Sequence, residues 1–275
     1  MVYVLGSLYM LIPGIVALVI DKRSGRKVRS SLWIHFRPNK WWALAWVAPL
    51  GFALLALGVA LLLPGIGFDP GMDELLRQLE SVLSDEELAA GREQLDRFPF
   101  GLFLLIIGLQ GLGAGATVNA FFALGEELGW RGLMLRELAH KGFWTSAAII
   151  GVVWGVWHAP LILQGHNYPD HPVLGVFLMT IFCLLLSPLF SWITLKCRSV
   201  LAAAIMHGTL NASGALSILF LDNFVDLVVG ITGAVGLSIL LVLNLSLFFL
   251  ARPTLAAEDW EFAEESESDP TPVEA

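Results

Sequence analysis

Apolar runs of about twenty residues recur along this chain, and that is the length an α-helix needs to cross the hydrocarbon core of a bilayer. Composition agrees: 56% of the residues are hydrophobic and 15% charged, against about 45–50% and about 25% in soluble domains. The pattern predicts an all-α, polytopic transmembrane helical bundle. Seven spans are expected, at about 1–20, 41–63, 100–125, 143–164, 172–195, 199–220 and 226–250. A short amphipathic helix at 130–140, "WRGLMLRELAH", is expected at the membrane interface.

The loops set an orientation. Residues 21–40, 126–142, 196–198 and Arg252 hold thirteen Lys or Arg, and the loops on the other side hold three. Positive charge is retained on the cytosolic side, so the N-terminus is expected outside and the C-terminus inside, at the plasma membrane. The opening "MVYVLGSLYMLIPGIVALVI" lacks a basic leader and a small-residue cleavage site, and reads as an uncleaved first span.

The net charge of −8 comes from one place. Residues 253–275 carry eight acidic residues and no Lys or Arg, while the remainder balances at sixteen against sixteen. The acidity describes a tail, expected to be disordered, and gives no surface for nucleic acid. Residues 1–252 form the expected membrane domain, with an external amphipathic insertion at about 64–99. There Leu75, Leu76, Leu79, Val82 and Leu83 recur at helical spacing, and Ser84 with Glu87 fits a capping box. Cys183 and Cys197 suggest neither a disulfide framework nor a metal motif.

Few ionisable or strongly polar groups remain in or beside the apolar runs: Glu126, Glu127, Arg131, His158, and His207 with Asn211. Such groups are costly in hydrocarbon and normally face one another or a polar cavity. In "EELGWR", Glu127 and Arg131 are i,i+4 and can pair, while Glu126 points about 100° away. Three spans then supply groups suited to hydrolysing an amide. A carboxylate and an imidazole can activate water. A second imidazole and an amide NH₂ can hold an oxyanion. Alternatively Glu126, His158 and His207 could bind zinc and leave water as the fourth ligand. There is no H-E-x-x-H or Gly-x-Gly-Asp, and "NASG" around Ser213 lacks the glycine of a Gly-x-Ser-Gly motif.

These segments resemble the CPBP family of intramembrane endopeptidases, which includes the CAAX prenyl proteases and the Abi-type bacteriocin-processing and self-immunity proteins. "EELGWR" matches the family's E-E-x-x-x-R at Glu126, Glu127 and Arg131. "WGVWH" matches its aromatic-x-x-x-His at Trp154 and His158, and "HGTLN" its H-x-x-x-N at His207 and Asn211. Order and spacing fit over about 100–215. The resemblance implies an endopeptidase acting on a peptide or membrane-tethered protein near the cytosolic face. Glu126 and His158 would activate water, His207 and Asn211 would stabilise the oxyanion, and Glu127, Arg131 and Trp154 would support the site. A metal-free scheme is favoured over zinc, because asparagine is a poor zinc ligand and a good oxyanion donor. The other class of function is a non-catalytic immunity or scaffold protein that binds a peptide or partner on the same fold.

One expectation conflicts with these spans. His158 would lie about 24 Å along its helix from the cytosolic start, and His207 about 12 Å. Glu126 would sit at the cytosolic end of its own span, so the three would not meet.

Overall fold

Backbone polar groups in hydrocarbon must bond to one another, and this chain satisfies them with helices. The computed structural model describes residues 6, 8–73, 76–77, 84–97, 99–223 and 225–258. Its elements are α1 (Ile12–Arg23), α2 (Lys40–Ala60), α3 (Asp85–Asp96) and α4 (Phe100–Glu137), then α5 (Phe143–Trp157, with a further turn Ala159–Ile162). They continue with α6 (Pro172–Cys197), α7 (Val200–Ser213) and α8 (Ala234–Ala251). Among the described residues there is no strand, only an isolated bridge between Phe68 and Leu221.

Five helices are long and apolar enough to cross a membrane: α2, α4, α5 with its extension, α6 and α8. The protein is an all-α membrane bundle. Of the two other expected spans, α7 has only 14 residues, but the 3-10 turn Gly214–Ser217 carries the chain onward. Residues 1–5 and 7 of the first span lie outside the described residues, as do Leu75, Leu79, Val82 and Leu83 of the insertion and 259–275 of the tail. In α3 the capping box forms. Ser84 N–H donates to Glu87 Oε2 at 2.8 Å and Glu87 N–H to Ser84 Oγ at 3.3 Å. The bonds from the Ser84 backbone and hydroxyl hold the Glu87 carboxyl below its usual range.

Contacts tie the loops together at each end. At the basic end, Arg136 donates twice to the buried Asp21 carboxylate, at 2.9 and 2.6 Å, and Arg26 reaches Glu137 at 3.1 Å. Asn39 donates to the Lys196 carbonyl at 3.1 Å, and Trp144 packs on Phe248 where α8 ends. At the opposite end, Gly67 N–H donates to Asp222, Asn223 to the Gly65 carbonyl and Tyr168 Oη–H to the Thr232 carbonyl.

Residues 130–137 of the expected interfacial helix are instead the last part of α4, and a 3-10 turn, Ala139–Lys141, follows. Leu128–Met134 winds as π-helix, and Trp130 and Arg131 are buried. Arg131 turns to Glu127 inside the bundle, and Arg136 to the buried Asp21.

Helix α4 meets α7 backbone to backbone. A Cβ on Gly208 would lie 2.3 Å from the Gly115 carbonyl oxygen, so only glycine permits this approach. Gly208→Ala is expected to lower stability in detergent by about 1–3 kcal/mol. Gly51→Ala, with nothing within 4 Å of the added carbon, should not. Equal unfolding midpoints for the two variants would contradict this packing.

Candidate active site

Glu126 and Glu127 are consecutive residues of α4 just before its π-helical stretch, a local widening that often marks functional sites. Eleven further residues of α4 follow Glu126, so it lies about 16 Å from the helix end. Trp154 lies eleven residues from the start of α5, at a matching height. Ending the third span at 125 had misplaced Glu126 in depth.

The two carboxylates have different partners. Glu126 Oε2 accepts from the indole N–H of Trp154 at 2.6 Å and of Trp130 at 3.2 Å. Glu127 faces Arg131, whose Nη1 lies 3.2 and 3.1 Å from its two oxygens. Glu127 Oε1 also contacts His207 Nδ1 at 2.8 Å. Glu126 keeps 2% of its surface accessible, while Glu127 and Arg131 keep none.

Arg131 lies within 4.4 Å of the Trp154 ring centroid and 4.8 Å of the Phe190 centroid. Its Nε and Nη2 have no hydrogen-bond partner among the described residues. One carboxylate and two aromatic faces therefore compensate this buried cation.

Both histidines are oriented through Nδ1. His158 Nδ1 lies 2.8 Å from the Trp154 carbonyl, one turn back on α5. A carbonyl only accepts, and so does an ionised carboxylate, so Nδ1 of His158 and of His207 each carries a proton. Nε2 is then the ring atom of each that has no hydrogen-bond partner among the described residues.

Trp154 connects these groups. Its N–H binds Glu126, its carbonyl holds His158, its face covers Arg131, and its ring meets that of His207 at 5.4 Å. Asn211, a turn beyond His207, is exposed and makes no side-chain hydrogen bond among the described residues. The structure thus brings His207 to Glu127 and joins Glu126 to His158 through Trp154.

Among the described residues, no three His, Cys, Asp or Glu side chains are placed to hold one metal ion. Glu126 Oε2 is occupied by two indoles and Glu127 Oε1 by a histidine. A groove of about 510 Å³ lies at the basic end beside Arg26, Leu133 and Glu137, and none of the motif side chains lines it.

Residues 108–213 match the family model described as type II CAAX prenyl endopeptidase Rce1-like. Over this segment, the chain is similar to the CPBP/CAAX proteases. The match contains every motif residue from Glu126 to Asn211 and leaves α1, α2, α3 and α8 outside it. No curated protein and no solved structure matched the chain. Its apolar helices make it an integral membrane protein.

Two contacts of this family core were missed from sequence. Trp130 is i+4 from Glu126, so helical spacing could have found it. Phe190, on α6, gave no signal beyond being apolar.

Glu127→Gln leaves Arg131 buried without its counter-charge and should cost about 3–5 kcal/mol of stability. Glu126→Gln removes a carboxylate held by neutral donors and should cost about 1 kcal/mol. Denaturant titration in micelles compares them, and equal losses would contradict the assignment of Arg131 to Glu127.

Proposed function

We propose that this protein hydrolyses peptide bonds inside the membrane, in a peptide or membrane-tethered protein, near the basic end of the bundle. Thirteen of sixteen Lys and Arg lie in the loops assigned to that end, which supports reading it as the cytosolic one, with the N-terminus outside. The observation that carries the reading is Trp154, which holds Glu126 by its indole and His158 by its carbonyl.

In this scheme a water lies between Glu126 Oε1 and His158 Nε2. Glu126 takes its proton as the oxygen attacks the scissile carbonyl carbon. The carbonyl π bond opens to a tetrahedral oxyanion. His207, oriented by its Nδ1 contact with Glu127, and the Asn211 NH₂ supply the donors to that oxyanion. Collapse breaks the C–N bond, and Glu126 returns the proton to the leaving amine. The products are a carboxylic acid and an amine, and transfer of the acid proton to the amine gives a carboxylate and an ammonium.

The exposure of Asn211 suits a donor that meets substrate, and the burial of His207 suits one that is preset by Glu127. No step in this scheme needs a metal. The "prenyl" of the family description belongs to the family, and the substrate proposed here is a peptide or membrane-associated protein.

The test uses purified protein in micelles and a library of membrane-tethered, fluorogenic peptides. Wild type should cleave a subset of them, and Asn211→Ala should lower kcat by about 10²-fold. Cleavage should be unchanged after verified metal removal. Loss of activity on metal removal with recovery on adding zinc would overturn the metal-free scheme. Unaltered cleavage by Asn211→Ala would remove that residue from the oxyanion site.

A further inference from the structure

Helix α1 lies outside the segment that matches the family, yet it packs directly against the residues that carry the chemistry. A Cβ on Gly14 would lie 2.6 Å from the Gly125 carbonyl oxygen, and one on Gly125 would lie 2.6 Å from the Met10 carbonyl oxygen. Gly125 immediately precedes Glu126. The start of α1 is therefore fixed in register against the motif by backbone contact.

That contact brings Tyr9 onto the site. Its ring stacks on Trp157 with centroids 4.1 Å apart and planes 12° from parallel. Its hydroxyl donates to the Trp157 carbonyl at 2.9 Å, at the peptide unit that leads into His158. Trp157 in turn meets Trp130 edge to face at 6.1 Å. The Trp130 N–H is one of the two donors on Glu126.

Trp157 Nε1 is buried and has no hydrogen-bond partner among the described residues. Its indole has no polar anchor, so ring contacts decide how it sits. Tyr9 covers one face and Trp130 meets the other aromatic contact. Displacing Tyr9 frees Trp157, and Trp130 loses the wall that aims its N–H at Glu126.

We propose that Tyr9 is a positioning residue for Glu126, acting through Trp157 and Trp130. Its part in turnover rests on the reading of Glu126 as the base; its part in holding Glu126 rests on packing alone. The two are therefore tested separately.

The first experiment measures labelling of Glu126 by dicyclohexylcarbodiimide, using the full chain in micelles and locating the adduct by mass spectrometry. Tyr9→Leu should label Glu126 about fivefold faster than wild type, as expected when one aromatic pair is lost. Tyr9→Phe keeps the stack and should stay within about twofold of wild type. If Tyr9→Leu does not fold, Trp157→Leu removes the same stack from the other side and carries the same expectation. An unchanged rate in the folded leucine variant would overturn the proposal, whatever the peptidase assay shows.

The second experiment is a double-mutant cycle on kcat. Tyr9→Leu should lower kcat about tenfold with little change in KM, and Trp130→Phe should do the same. The double variant should be about as slow as Trp130→Phe alone, because both changes act on one donor. Fully additive losses would show that Tyr9 acts on general stability and would overturn the route through Trp130. If wild type cleaves nothing while the labelling result holds, the peptidase reading fails and the packing role of Tyr9 stands.

Discussion

A guanidinium with no accessible surface, inside an apolar bundle, is the costliest group in this protein. Removing an ion from water costs several kcal/mol even after relaxation, so Arg131 requires a carboxylate and well-placed π faces. Glu127 and Arg131 come from α4, Trp154 from α5, Phe190 from α6, and His207 from α7 through Glu127. Four helices must therefore meet at one point and in one register. The site then follows from this convergence. Once Trp154 is fixed over Arg131, its indole N–H reaches Glu126 and its carbonyl reaches His158.

The same convergence explains why two adjacent glutamates can do different work. Glu127 is committed to Arg131 and His207 and has no accessible surface. Glu126 meets only neutral indole donors and retains some access. A carboxylate pinned by one oxygen keeps its orientation and leaves the other oxygen for a ligand. The π-helical turn that follows lets the Trp130 indole and the Arg131 guanidinium fold back onto successive glutamates.

Much of this was legible in the sequence. Apolar run lengths gave the all-α bundle, and i,i+4 spacing gave the Glu127–Arg131 contact. The capping signature at Ser84 and Glu87 is present as a box. Helix ends were harder to read. The stretch 130–140 looks amphipathic because Arg131 and Arg136 are charged, and hydropathy cannot tell a polar face turned to the interface from one turned to a buried partner. Ending the span at 125 then misplaced Glu126 in depth. Contacts between helices distant in sequence, such as Glu127 with His207 or Arg131 with Phe190, carry no local pattern and needed the fold.

In the proposed hydrolysis, Glu126 is the base on which turnover depends. The most direct measurement compares the peptides released by native membranes containing wild-type protein with those released when it carries Glu126→Gln, at matched abundance. New peptide ends should appear with wild type and be absent with Glu126→Gln. The same ends in both samples would contradict the assignment of Glu126, and an absence of new ends in either would contradict intramembrane hydrolysis.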